Sequence, residues 1–128
     1  MKKINNLERI TSIYPAWKPS DIAFVKSVEW ASHCLTMVAY CQLRGNESGW
    51  PDMATDFFEI KLDFHSVSNL RLDFPGNGWQ QISGFNILDV SANGLENINF
   101  QIEDYENGVI GFNCEAIEII AVSAPVSL

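Results

Sequence analysis

Apolar and polar residues alternate strictly in several stretches of this chain, and that alternation predicts strands. In Phe57-Phe58-Glu59-Ile60-Lys61-Leu62-Asp63-Phe64 every even position is apolar, and the odd positions from Glu59 are charged. Leu70, Leu72 and Phe74 repeat the pattern across Asn69, Arg71 and Asp73. Ile98, Phe100 and Ile102 repeat it across Asn97, Asn99 and Gln101. Successive side chains of a strand leave opposite faces, so a period of two over such lengths means strands with one buried face. Asn-Gly pairs at 77–78, 93–94 and 107–108 punctuate these stretches, and both residue types tolerate positive φ.

Antiparallel partners keep a constant sum of residue numbers, and the parity of that sum decides which faces meet. A loop Glu106-Asn107-Gly108 closed by Tyr105 and Val109, with Gly108 left-handed, puts Ile98, Phe100 and Ile102 on one face with Ile110, Phe112 and Cys114. A two-residue Asn93-Gly94 turn closed by Ala92 and Leu95 pairs Phe85 with Ile102 and Ile87 with Phe100. The three strands form a meander. The apolar set then changes from even (Ile110, Phe112, Cys114) to odd (Ile117, Ile119, Ala121). This predicts a bulge near Glu115-Ala116, where a strand passes from one sheet of a sandwich to the other.

The first half reads less sharply. His33 to Leu43 is apolar on both faces and reads as a central strand, whereas Arg44 to Thr55 reads as a loop. Ile22 to Trp30 fits an alternating strand interrupted by Lys26, and also a helix capped by Ser20. Ile4 to Ile10 reads as a short helix. The expected fold is mainly β: an antiparallel β-sandwich or open barrel of about seven or eight strands with a short N-terminal helix.

Composition adds one domain and a charge asymmetry. At 128 residues, 47% of them hydrophobic and 19% charged, residues 1–128 suffice for a single buried core. The formal net charge is −8, unevenly distributed. Through Ala54 there are six bases and five acids, but from Thr55 onward there are two bases, Lys61 and Arg71, against eleven acids. An acidic field of this kind repels nucleic acid and anionic membrane and attracts basic partners. No apolar run approaches the roughly 20 residues of a spanning helix. Asn5, Asn6, Glu8 and Arg9 interrupt the apolar stretch that would follow Lys2-Lys3 in a signal peptide. A cytoplasmic location is therefore expected. Cys34, Cys41 and Cys114 are odd in number and lie in apolar runs, as reduced core thiols do.

The sequence gives no catalytic residue, metal ligand or cofactor site to expect. His33 stands at a strand start and His65 in a predicted hairpin loop, neither with a carboxylate or cysteine at the spacing of a metal site. Glu103-Asp104-x-Glu106-Asn107-Gly108 lacks the alternating oxygen spacing of a calcium loop and reads as an acidic hairpin tip. Gly76-x-Gly78 is followed by no helix start or lysine and is not a phosphate loop. Ser-His-Asp sets and nucleophile elbows are absent from the sequence.

The predicted register does give one unusual face. Asn86, Leu88 and Val90, then Asn97, Asn99, Gln101 and Glu103, then Val109, Gly111, Asn113 and Glu115 point away from the core, with Tyr105 at the rim. Mixed amide and apolar surfaces of this sort serve recognition. Asp89 would point inward opposite Ile98, so a bulge at Leu88-Asp89 is expected to turn it out. Trp17, Trp50 and Trp79 fall in or beside loops, and Trp30 in a strand. Loop tryptophans cap open sandwich ends more often than they stack on ligands.

From about Phe58 onward the chain resembles small bacterial immunity proteins of polymorphic toxin systems. The residues that carry the resemblance are Leu62, Phe64, Val67, Leu70 and Leu72, and a late strand with Gly111, Phe112 and Cys114. The resemblance implies a non-catalytic cytoplasmic protein that neutralises a basic toxin domain by occupying its positive cleft. The residues it nominates for partner binding are Asp89, Glu96, Glu103, Asp104, Glu106 and Glu115, with Tyr105 as an anchor. The alternative is a small-molecule or carbohydrate-binding sandwich using Asn97, Asn99, Gln101, Asn113 and loop tryptophans. A hydrolase with a carboxylate pair and an adaptor with an open sheet edge are further, weaker alternatives.

Overall fold

A strand buried on one face needs partners on both edges and a second layer above it, and the chain supplies both. In the computed structural model, which describes residues 3–45, 49–76, 78–104, 106 and 108–128, the elements in chain order are as follows. The short helix is α1 (Glu8–Thr11). The strands are β1 (Ile22–Ala31), β2 (Cys34–Cys41), β3 (Phe58–His65), β4 (Ser68–Leu72), β5 (Gln80–Gln81), β6 (Phe85–Asp89), β7 (Phe100–Asp104), β8 (Ile110–Cys114) and β9 (Ala116–Val122). They form two antiparallel sheets, one in the order β5-β1-β2-β3-β9 and the other in the order β4-β8-β7-β6. Among the described residues the strands number nine, one more than the upper expectation, and the addition is the two-residue β5. Among the described residues no helix is long and apolar enough to cross a membrane.

The core lies between the sheets. Leu35, Met37 and Ala39 of β2, Ile60, Leu62 and Phe64 of β3, and Ile117 and Ile119 of β9 face Phe100, Ile102, Ile110, Phe112 and Cys114 of the other sheet. Phe64 and Phe112 meet edge to face across the layers at 4.9 Å between ring centroids, the arrangement that aromatic quadrupoles favour. Ile10 of α1 and Trp17 close one end of this core, and Tyr14 stacks on Phe58 at 3.9 Å. A helix over Ile4 to Ile10 does not form as expected. Asn6 has φ of 60°, which breaks a right-handed helix. Asn5 instead runs beside β9, its N–H donating to the Ile117 carbonyl at 2.8 Å and its carbonyl accepting from Ile119 at 3.0 Å.

Ile22 to Ala31 resolves as strand. The break in its pattern at Lys26 is a bulge between Val25 and Ser27, which sends the lysine to Glu59 at 2.9 Å on the outer face. β2 is central, as its two apolar faces predict.

The change of face after Cys114 is a sheet-to-sheet crossing. β8 belongs to the four-stranded sheet and β9 to the five-stranded one, with Glu115 alone between them. β3 and β4 cross in the opposite direction at the same level, through Ser66-Val67. The two crossings are tied where the Glu115 N–H donates to the His65 carbonyl at 2.9 Å. Strand pairs that bend together in this way make the corner of a sandwich. His65 is therefore the last residue of β3, not part of a hairpin loop, because β4 pairs with β8 rather than with β3.

The meander is confirmed in part. Phe100 pairs with Cys114 and Ile102 with Phe112, and Gly108 is left-handed at φ 67°, all as the parity argument required. On the other side Ile87 pairs with Ile102 and Phe85 with Asp104, two residues out from the expected register. Parity is preserved, but the connection is longer than a two-residue turn. Ser91–Asn93 is a 3-10 turn, Gly94 follows at φ 68°, and the Val90 N–H donates to the Asn99 carbonyl at 2.8 Å. Ile98, Asn97 and Val90 consequently lie in this connection and not on a strand.

Candidate functional site

The outer face of the four-stranded sheet is built from alternating positions of its strands, as the polar half of each pattern requires. β6 supplies Asn86 and Leu88, β7 supplies Gln101 and Glu103, and β8 supplies Gly111 and Asn113. β4, whose place at the edge was not legible in the sequence, adds Asn69 and Arg71. Arg71, Gly111, Glu103 and Asn86 form one row across the sheet. A Cβ on Gly111 would lie 3.0 Å from an Arg71 guanidinium nitrogen, so the glycine leaves room for the guanidinium to lie across the strand. Asn69, Arg71, Gln101, Glu103, Gly111 and Asn113 line a shallow recess of about 230 Å³, below the roughly 300–1,000 Å³ of ligand pockets. Among the described residues Arg71 has no carboxylate within ion-pairing distance.

The residues nominated from the sequence do not converge. Asp89, at the end of β6, is exposed, and its Oδ1 accepts bonds from the Ser91 N–H at 2.9 Å and the Ser91 hydroxyl at 2.6 Å. No bulge at Leu88-Asp89 turns it out. It pairs directly with Phe100 and is exposed because β6 ends there. Glu96 is exposed in the β6–β7 connection, on the rim of a recess shared with His33 and Ser66. Glu115 is half-buried at the sheet crossing, and its carbonyl accepts from the Asn99 amide at 2.9 Å. Asn99 is thereby withdrawn from the amide face. Glu103 is half-buried in mid-sheet, and Glu106 is exposed at the β7–β8 turn. Tyr105 lies outside the described residues.

Asp104 is a correction. It is 2% exposed, and its carboxylate accepts the backbone N–H groups of Gly108 and, at 3.2 Å, Val109. An even-numbered position on β7 faces the core, so its charge closes the turn instead of meeting a partner. Of the remaining acids, Asp89, Glu96 and Glu115 lie at one end of the sheet, Glu106 at the other, and Glu103 between the ends. β7 alone, from Phe100 to Asp104, separates these ends by about 13 Å at strand rise.

Elsewhere the chemistry is structural. Cys41 and Cys114 are buried, Cys34 is half-buried, and all three thiols are free. Burial pushes the Cys114 thiol up to about 12 and raises that of Cys41 as well, so both stay protonated and unreactive. Desolvation, then the negative charge of Asp63, also raises the Cys34 thiol. Trp17 is in the core, and Trp50 donates to the Gln42 carbonyl at 2.8 Å with the Arg44 guanidinium 4.1 Å above its ring. Trp79 packs on Tyr40 at 4.9 Å, outside the five-stranded sheet. No metal ligand was expected beside either histidine, yet the carboxylates of Asp63 and Glu118 stand next to His65.

No protein-family model matches the chain, and no curated protein or solved structure matches it.

Proposed function

We propose that this chain is a non-catalytic acidic binding domain that docks a basic protein on its four-stranded sheet, as an immunity protein neutralises a toxin domain. One observation carries the reading. From Ser68 to Cys114 the chain holds a single base, Arg71, while Asp89, Glu96, Glu103 and Glu106 are exposed or half-buried on that sheet and its end loops. The acids are spread across both ends of the sheet and do not gather in a pocket. That geometry suits a partner wide enough to cover the sheet, of the order of 800 Å² per side in a stable complex. Spread charge of this kind accelerates encounter more than it deepens affinity. Steering that crosses a whole sheet face also accommodates a basic cleft better than a small molecule would.

The carbohydrate alternative has less support. Of its loop tryptophans, Trp17 is in the core, Trp50 is bonded to the Gln42 carbonyl and Trp79 packs on the five-stranded side, whereas the amide groups line the other sheet.

The test starts with the partner recovered by affinity capture and eluted stepwise with salt. Association is then timed for the native chain and for the triple variant Asp89→Lys/Glu96→Lys/Glu106→Lys, all exposed positions. The reading predicts an association rate lower by at least about 10-fold and a flatter salt dependence. An unchanged rate with a native-like fold would sink it.

A further inference from the structure

The other sheet carries an arrangement that the docking surface does not use. Asp63 and His65 are two residues apart on β3, so their side chains leave the same face, the outer one, beside the inward Leu62 and Phe64. β9 places Glu118 directly opposite Asp63. One ligand atom from each of the three residues lies within 4.8 Å of the others, and His65 Nε2 is 3.6 Å from Glu118 Oε1. Two ligands bound at about 2.0–2.1 Å in a tetrahedron stand roughly 3.4 Å apart, so this pair is already near ligand spacing.

A simple ion pair does not account for the grouping. Like charges directly opposite on adjacent strands are destabilising, and one imidazole carries at most one positive charge against two carboxylates. Among the described residues neither Asp63 nor Glu118 is ion-paired to a lysine or arginine. Instead each carboxylate is oriented by a neutral donor. Thr36 Oγ1 donates to Asp63 Oδ1 at 2.7 Å, and Asn6 Nδ2 donates to Glu118 Oε2 at 3.3 Å. Each carboxylate keeps its other oxygen available, and on Glu118 that is the oxygen facing His65. Outer bonds that aim carboxylates in this way are a regular part of metal sites.

We propose that Asp63, His65 and Glu118 form a three-ligand site for a divalent transition-metal ion, with zinc the best fit. Magnesium and calcium take all-oxygen sets, whereas one imidazole with two carboxylates suits borderline ions. His65 and Glu118 side chains are 42% and 35% exposed, so water completes the coordination. The ion ties β3 to β9 and, through Asn6, holds the N-terminal segment against the sheet edge. It lies on the opposite sheet from the docking surface, and the two proposals stand or fall separately.

The test uses the full chain stripped with chelator, titrated calorimetrically with zinc and melted with and without it. Cobalt provides a visible-absorption signature of imidazole and carboxylate coordination. The expected result is one zinc per chain, a higher melting temperature with zinc and none with magnesium, and binding weakened at least about 10-fold in His65→Ala and in Glu118→Gln. Glu118→Gln keeps an oxygen for Asn6, so it reads the site even if His65→Ala fails to fold. It also removes a like charge, so without metal it melts above the native chain. Cys34→Ser binds zinc as the native chain does. Absence of uptake, uptake unaffected in Glu118→Gln, or uptake lost in Cys34→Ser overturns the site.

Discussion

The buried polar side chains show how single residues hold this molecule together. Asp21, Gln42 and Asp104 are the buried polar residues among those described, and each serves backbone groups of a loop. Asp21 accepts from the N–H groups of Lys18 at 2.8 Å and Arg44 at 3.0 Å. The Gln42 amide donates to the Asp52 carbonyl at 2.9 Å and accepts from its N–H at 2.7 Å, pinning the long β2–β3 connection. Asp104 does the same for the β7–β8 turn. A buried acceptor that satisfies N–H groups leaves them orphaned when removed, at about 1–3 kcal/mol. Asp104→Ala is therefore expected to lose about 1–3 kcal/mol in urea unfolding, whereas exposed Glu106→Ala stays within about 0.5 kcal/mol. From the sequence both acids belong to one charged tip. Their separation depends on strand parity, which the alternation of Phe100 and Ile102 already contained.

At the scale of elements, the decisive feature is the joint crossing of β3–β4 and β8–β9 between sheets. A single residue, Glu115, changes the inward set from Ile110, Phe112 and Cys114 to Ile117 and Ile119. Side chains alternate with a period of two, so removing one residue there turns Ile117 and Ile119 outward. Deletion of Glu115 is expected to abolish cooperative thermal unfolding. Insertion of one glycine after exposed Leu95, in the β6–β7 connection, is expected to leave the unfolding transition cooperative, because loop length has a small entropic cost. Circular dichroism melts of the two variants check both outcomes. The change of phase was legible in the sequence. Its counterpart at Ser66-Val67 was not, because Leu62 to Leu72 keeps its apolar residues on even numbers apart from Val67, and alternation cannot tell a hairpin from a corner.

The whole molecule presents two unlike surfaces. The four-stranded side is acidic with one arginine, and the five-stranded side mixes Lys26, Glu59 and Lys61 with the Asp63–His65–Glu118 group. Uncompensated charge of one sign repels itself in the compact state. Adding sodium chloride to about 0.15 M, where screening acts beyond roughly 8 Å, is expected to raise the melting temperature by a few degrees. Melts at matched pH and two ionic strengths measure this, and a salt-induced fall would show that attractive pairs dominate the surface instead. Salt should meanwhile slow association with the proposed partner, so stability and encounter rate move in opposite directions.

Local pattern by itself determined β2, β3, β4, β6, β7, β8 and β9 as strands, most of their inward residues, the meander of β7 with β8 and one point where the chain changes sheets, but neither β5 nor the choice of strand over helix for β1. Those follow from a period of two and from parity, which are properties of neighbouring residues. Only the tertiary structure decided which strands lie side by side across long loops. It set β4 against β8, so that Arg71 lies over Gly111, and β3 against β9, so that Glu118 stands opposite Asp63 beside His65. It also set the acids outside the core apart, over the sheet and the loops at its two ends. Parity fixes a face but not a neighbour, and both proposed sites are made of neighbours.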